Sequence, residues 1–231
     1  MDHLRRGLSP VTDEGWEAID AEATRTLRHY LAARPLVGFD SPAGWDKSAH
    51  NLGRVEPVAP PMAGVEAAKR AALAEDHIVF RGFKEGHVTG IAEAAPYPPI
   101  QMDDNYADYP KLVARAVSTL REAGIDGPYA AALGPRCWTG VVETTEYGGY
   151  PVLEHLRLIL GGPVVWAPAV DGAVVLSQRG HDFRFVAGQD FAIGYAGTDG
   201  DRVRLYIEES FTFEVLEPRA AVSLTYPSRK R

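Results

Sequence analysis

From Gly180 to Tyr226 polar and apolar residues alternate, break at glycine-rich turns and alternate again. Val203, Leu205 and Ile207 fall on one side of an extended chain, and Arg204, Tyr206 and Glu208 on the other. Phe211, Phe213 and Val215 carry the alternation on. A strict period of two marks strands with one buried face. Gly197-Thr198-Asp199-Gly200-Asp201, between the runs, consists of residues that tolerate turn geometry. The pattern predicts a β-meander over the C-terminal quarter, on which the more helical chain before it must pack.

Upstream the period changes to that of a helix. Trp16, Ile19, Ala23, Leu27, Tyr30 and Leu31 form one apolar stripe. Thr12 is placed as its N-cap, with Asp13, Glu14 and Glu17 in the first turn and Arg25, Arg28 and His29 near the negative end. Pro35 is expected to end it. Two readings of the stripe stay open at this point: packed on the chain's own core, or partly open to a partner. Residues 36–63 read as strand and loop, punctuated by Gly38, Pro42, Gly44, Gly53, Pro57, Pro60 and Pro61, and are the best candidate for a linker or a shortened excursion. A second helix follows from about Gly64 to Phe83, with Val65, Ala68, Ala72, Asp76 and Val79 along one face and Ile78 and Phe80 broadening it.

Ala94 to Pro110, with Pro96, Pro98 and Pro99, reads as loop. A helix opens at Asp108-Tyr109-Pro110, runs through Leu112, Val113, Ala116, Val117 and Leu120, and stops at Gly124. Tyr129 to Leu133 is a short strand, and Pro135 to Val142 a short helix carrying Cys137 and Trp138. Glu143-Thr144-Thr145-Glu146-Tyr147-Gly148-Gly149 is polar and glycine-rich, hence an exposed loop. Pro151 starts a helix through Val152, Leu156 and Ile159, closed by Gly161-Gly162. Val164 to Ala167 and Ala173 to Ser177 are strands joined by a turn at Asp171-Gly172. There is no internal repeat, and the order of elements predicts an α+β protein with two lobes.

Composition narrows the function classes. The chain has 231 residues, 45% hydrophobic and 24% charged, which suits a folded protein with a substantial core. A net charge of −7 argues against a nucleic-acid-binding surface. The one basic run, Arg229-Lys230-Arg231, reads as a mobile solubilising end. Cys137 is the single cysteine, so neither an intramolecular disulfide nor a cysteine zinc site can form. The opening MDHLRRGLSP lacks the apolar centre of a secretion signal, and no run approaches the roughly eighteen apolar residues of a membrane span. A cytoplasmic protein without a membrane partner is expected.

Chemistry is sparse. The seven histidines include no pair at i, i+4, no H-E-x-x-H and no C-x-x-C. Glu75-Asp76-His77 lies in a helix, where neighbours point about 100° apart and do not converge on an ion. His181-Asp182 is a turn pair, Glu208-Glu209 alternates across a strand, and Asp103-Asp104 sits on a loop. No G-x-S-x-G elbow and no phosphate-cradling glycine motif occurs. Cys137 beside Trp138 reads as an inert core thiol. Together these predict no catalytic residues, no metal and no cofactor, and favour a structural or binding protein over an enzyme.

Several segments, in order along nearly the whole chain, resemble the family 1 encapsulin shell proteins: LSPVTDEGWEAIDAEA, SPAGWDKSAHNLGRVEPV, AEDHIVFRGF, REAGIDGPYAAALGPRCW, VVWAPAVDGAVVLSQRGHDF and GQDFAIGYAGTDGDRVRLYIEESFTFEVLEP. The resemblance implies the HK97 major-capsid-like fold of bacterial nanocompartment subunits, with a peripheral and an axial domain. Residues 108–178 would be the axial domain. Residues 1–107, with the N-terminal helix, and the C-terminal strands of 179–231 would be the peripheral domain. It implies closed icosahedral shells, about 60 copies in the simplest case. These enclose cargo such as a ferritin-like protein or a dye-decolourising peroxidase, in iron storage or oxidative stress, held by a docking peptide. By the same resemblance Leu27, Tyr30, Leu31, Arg34, Phe39 and Asp40 would bind the cargo peptide. Gly38 stands where some relatives carry an acid. Glu143, Thr144, Thr145, Glu146, Tyr147, Gly148 and Gly149 would form a five-fold pore loop.

One departure is large. In relatives several tens of residues, including the extended E-loop, separate the strand matching Gly53 to Val58 from the helix matching Gly64 to Phe83. Here Ala59-Pro60-Pro61-Met62-Ala63, a proline-rich bridge, spans that gap. The flavin site of some relatives draws on the missing region and is not carried over. The alternatives are a capsid-like subunit that binds cargo peptides without closing a shell, and the protease or bacteriocin activity once attached to linocin-type relatives.

Overall fold

Thr12 starts the first helix from the position its sequence predicts, its Oγ1 accepting the Gly15 N–H at 3.2 Å. A computed structural model describes residues 3–40, 63–146 and 148–227. In chain order they form α1 (Asp13–Tyr30), β1 (Gly38–Asp40), α2 (Ala63–Arg81), the single turn α3 (Ile91–Ala94), β2 (Ile100–Gln101), α4 (Tyr109–Glu122), β3 (Tyr129–Leu133), α5 (Pro135–Glu143), α6 (Val152–Leu160), β4 (Val164–Trp166), β5 (Ala173–Ser177), β6 (Phe183–Asp199), β7 (Arg202–Val215) and β8 (Ala221–Thr225). The expected α+β class is what forms. The strand expected from Gly53 to Val58, the bridge from Ala59 to Met62, Tyr147, and the Arg229-Lys230-Arg231 tail lie outside the described residues.

The chain divides into two compact units. One gathers Met1–Leu31, Phe39–Glu75 and Val186–Thr212; the other gathers Ala32–Gly38, Asp76–Phe185 and Phe213–Arg231. In the first, Trp16, Ala23 and Leu27 of α1 pack with Ala68, Ala71 and Ala72 of α2 and with Ile193 and Ile207 of β6 and β7. The three alanines keep this face of α2 thin, so the larger side chains of α1 and the sheet fill the space. Val65, expected on that face, is exposed instead. Arg6 pins the segment before α1: two 2.7 Å bonds reach Asp20, Nε donates to the Ile193 carbonyl at 2.8 Å, and the guanidinium lies 4.5 Å from the Trp16 ring centre. β6 and β7 are neighbours in a sheet of order β1-β6-β7. Gly200, at φ +60°, opens the two-residue turn between them. The alternation along β7 holds, with Ile207, Phe211 and Phe213 buried and Arg204 exposed.

The second unit is built on a five-stranded sheet of order β2-β8-β5-β3-β4. β8 runs parallel to β2 and antiparallel to β5, and β3 runs antiparallel to β5 and parallel to β4. Every residue of β3 and β5 is buried, as are the first four of β8, which explains why these strands read as apolar runs without alternation. α4 packs on α6 through stripes that include Val113, Val117 and Leu120, and Val152, Leu156 and Leu160. Each such fully buried aliphatic side chain contributes about 1.5–3 kcal/mol. Pro110 lies in the first turn of α4, and Gly161, at φ +67°, closes α6.

Four expectations are corrected. α1 ends at Tyr30, before Pro35, because the Ala32 and Ala33 N–H groups donate to the Asp76 carboxylate at 2.8 and 3.0 Å. Ala94 to Pro110 is not all loop: Ile100 and Gln101 pair with Leu224 and Thr225, a two-residue strand that three nearby prolines conceal. α2 ends at Arg81, short of Phe83, because Gly82 turns the chain at φ +86° and the Phe83 N–H donates to the Val88 carbonyl at 2.7 Å. The C-terminal quarter is not one meander. Leu216 and Glu217 both donate to the Asp182 carbonyl, Glu217 accepts the Arg219 N–H, and the chain turns through Pro218–Ala220 into β8, in the middle of the five-stranded sheet.

Two predictions follow from these ties. Asp76→Ala leaves two N–H groups without the carboxylate that held them and is expected to cost about 2–4 kcal/mol in urea unfolding; a loss below about 0.5 kcal/mol would remove the tie's role. The Arg219 side chain, then its backbone N–H, hold the Glu217 carboxyl down to about 2, below its ordinary 4.5. A depressed folded value gives stability that is complete above about 4.5 and lost as pH falls toward 2. The unfolding midpoints of the native chain and Glu217→Gln should therefore converge on acidification below pH 4.5, modestly because solvent screens the pair. A gap that stays constant would contradict this.

Candidate functional site

The residues expected to face a partner near the end of α1 differ in exposure. Leu27 is buried in the core of the first unit. Tyr30 and Leu31 are half-buried at the edge of that core, and the Lys69 ammonium lies 5.3 Å from the Tyr30 ring centre. Along the stripe Trp16, Ala23 and Leu27 are buried, and Ile19, Tyr30 and Leu31 are half-buried at the edge of the core, the last two at its C-terminal end. Phe39 and Asp40 are exposed on β1, an edge strand in the order β1-β6-β7. Arg34 belongs to the second unit, with its guanidinium 5.4 Å from the Phe185 ring centre. The structure brings Leu27, Tyr30 and Leu31 onto one apolar cluster of the first unit.

The polar loop lies wholly in the second unit, between α5 and α6. Glu143 is the exposed last residue of α5. Thr145 bridges Pro151, the Val152 N–H donates to the Thr144 carbonyl at 3.1 Å, and the Glu146 N–H donates to the Tyr150 carbonyl at 2.8 Å. Gly148 and Gly149 take φ of +98° and +81°, which only glycine adopts without strain, and the Gly149 N–H returns to the Glu146 carbonyl at 2.9 Å. The loop is a closed, internally bonded turn. Glu146 does not share the exposure of Glu143: its carboxylate meets His155 Nδ1 of α6 at 2.8 Å, and a quarter of its side chain remains exposed. His155 was not singled out from the sequence as a partner of this loop; its nine-residue separation from Glu146 matches no helical or strand period.

The remaining candidates resolve into structural roles. Asp76 is the anchor for Ala32 and Ala33, while His77 of the same triplet is exposed. Asp182 is buried against Arg179, with guanidinium bonds of 2.8 to 3.1 Å, and His181 beside it is exposed at φ +64°. Among the described residues no group of three or more histidine, cysteine, aspartate or glutamate side chains could hold a metal ion. Cys137 is buried with Sγ 3.3 Å from the Tyr226 hydroxyl, which lies 2.7 Å from the Tyr109 hydroxyl. Burial pushes the Cys137 thiol and both phenols above their ordinary values, so the thiolate a nucleophile needs is disfavoured. Arg136 covers the Tyr226 ring at 3.8 Å and binds Asp104 through two bonds of 2.9 and 2.6 Å. This clamp joins residues 89 and 117 positions apart, beyond the reach of any local pattern. Among the described residues no helix is long and apolar enough to cross a membrane.

Comparison with known proteins gives a consistent result. A family model described as an encapsulating protein for peroxidase matches residues 1–66 and 61–212. The type 1 encapsulin shell protein of Rhodospirillum rubrum is 40% identical, over 97% of this chain and 96% of that one. The protein of the same name from Mycobacterium tuberculosis is 35% identical, over 98% and 100%. The alignment with the first runs over 270 positions, more than the 231 residues of this chain, so the relative carries residues without a counterpart here. The family match itself falls into two pieces that meet at residues 61–66, where the proline-rich bridge lies. Among solved structures, a virus-like particle from Pyrococcus furiosus superposes with a TM-score of 0.63 at 15% identity, over 90% of this chain and 98% of that one. A structure of Gordonia phage Cozz superposes with a TM-score of 0.53 at 13% identity, over 84% and 86%. At such identities the likeness is one of fold, and the fold is that of HK97-type capsid proteins.

Proposed function

The chain belongs to the family of type 1 encapsulin shell proteins, and from that membership we propose that its copies assemble into a closed shell that holds cargo enzymes. It is a self-assembling shell protein. The observation that carries this is identity of 31–40% with shell proteins over nearly the full length of both chains, on a capsid fold. In this reading residues 108–178 form the axial domain, 1–107 and 179–231 the peripheral domain, and the compartment lies in the cytoplasm. The cargo is a peroxidase of the dye-decolourising type or a ferritin-like protein, and the family description, which names a peroxidase without its type, supports a peroxidase. Catalysis belongs to the cargo, and the shell contributes containment. The cargo peptide docks on the open end of the α1 stripe, at Tyr30 and Leu31, and on Phe39 and Asp40. Leu27 supports the patch from below. Residues 143–149 form the pore loop.

The shortened bridge favours a second reading, in which the subunit binds cargo peptides without closing a shell. Stable contacts between protein copies bury about 1,200–2,000 Å², and an inter-subunit hairpin of several tens of residues would supply much of that. Electron microscopy and native mass measurement of the purified chain separate the two. Uniform closed particles of tens of copies are expected, and monomers or dimers alone, with and without cargo, would overturn the shell reading. Docking is tested with a synthetic peptide copied from the C-terminus of the cargo encoded beside this chain. Phe39→Asp is expected to weaken its binding at least about tenfold, and unchanged binding would move the site elsewhere.

A further inference from the structure

The loop between α5 and α6 carries two carboxylates that are alike in sequence and different in space. Glu143, at the C-terminal end of α5, is exposed, and the partial negative charge of the helix end adds to its own. Glu146 is turned back onto α6, where His155 Nδ1 takes one of its oxygens at 2.8 Å. The backbone holds it in the same sense: its N–H is taken by Tyr150 and its carbonyl by the Gly149 N–H. The Tyr150 ring meets the His155 ring edge-on, 6.2 Å between centres. Arg157, a cation on the same helix, is paired with Glu154 at 2.6 Å. His155 is the group on α6 that meets the loop carboxylate.

We propose that His155 is a positioning residue that withdraws Glu146 from the mouth of the loop, so that each subunit presents one carboxylate, Glu143, to a passing cation rather than two. The inference rests on the reading of residues 143–149 as the pore loop and adds what sets its charge. With Nδ1 carrying a proton, the ring donates to the carboxylate and directs it toward α6. In a ring of subunits one carboxylate more or less per copy is multiplied by the symmetry. The potential at a narrow mouth grows with the charges lining it. The chemistry implied is passage of small hydrated cations under a moderate attraction, weak enough for release into the interior.

The closing experiment has two arms. In the first, the native protein is labelled with a water-soluble carbodiimide and an amine, and the rates at Glu143 and Glu146 are read by mass spectrometry. Glu143 is expected to label at least about fivefold faster, in line with a bonded, largely buried carboxylate against an exposed one. His155→Ala should bring the two rates together. His155→Asn, which can keep a donor near the place of Nδ1, should hold them apart. Equal rates in the native protein overturn the proposal. In the second arm, cobalt(II) influx into closed particles is followed by quenching of an entrapped dye. Glu143→Gln is expected to slow influx about threefold or more, and Glu146→Gln to change it less than about twofold. His155→Ala should raise it about twofold, an increase that Glu146→Gln in the same chain removes. Equal slowing by Glu143→Gln and Glu146→Gln also overturns the proposal. No effect of Glu143→Gln removes the pore reading instead, and the labelling then still decides where Glu146 sits.

Discussion

Where the chain leaves α1, the N–H groups of Ala32 and Ala33 point at no strand and no helical carbonyl. The Asp76 carboxylate of α2 takes both. Both residues and the carboxylate are buried, so water cannot substitute for either partner. The division into units falls beside this contact, at Leu31 and Ala32 on one segment and at Glu75 and Asp76 on the other. Ala32 and Ala33, on the path from α1 to β1, are thus held by a side chain 44 and 43 residues away in sequence, and the next turn is held by the Leu36 and Val37 N–H groups on the Ala33 carbonyl and by Gln178 on the Pro35 carbonyl. The proline that was to end the helix lies beyond the point where this carboxylate has already done so.

What the sequence made legible is what local chemistry decides. Thr12 before an acidic first turn, Pro110 in the first turn of α4, and Gly161 after α6 mark helix ends that the structure reproduces, because capping acts within a few residues. The alternation along β7 was legible because one face is buried and the other is not. Placement of β8 was hidden. Ala221-Val222-Ser223-Leu224 has no period that separates an edge strand from a central one, and its partners lie in β2 and β5, far back in the chain. The loop of residues 143–149 could be found from its glycines, but the different fates of Glu143 and Glu146 could not, since they turn on a histidine in the next helix. The α1 stripe was ambiguous for a physical reason. One run of apolar residues serves the core at Trp16, Ala23 and Leu27 and opens at Tyr30 and Leu31, and periodicity has no sign for that change.

The side chains that drew attention as chemistry, Asp76, Asp182 and Cys137, are held in bonds that fix backbone or close the core. The family to which the chain belongs makes containers, and a container subunit needs rigid units, edges that meet their copies, and openings of controlled charge. The proline-rich bridge removes a further means of contact and places more of the burden of association on the surfaces that remain.

The position of β8 has a consequence in the time order of synthesis. The strand that completes the middle of the five-stranded sheet is made after the other four strands of that sheet. Until residue 225 has emerged from the ribosome, β5 lacks its β8 neighbour and β2 has no neighbour among the described strands, so the sheet stays open through the synthesis of everything before β8. A chain broken off before Ala221 leaves β2 and β5 with open edges of the kind that pair with other chains. Closure of this sheet is thus the joining of two distant segments by a later one, and no earlier stretch of the chain completes it alone.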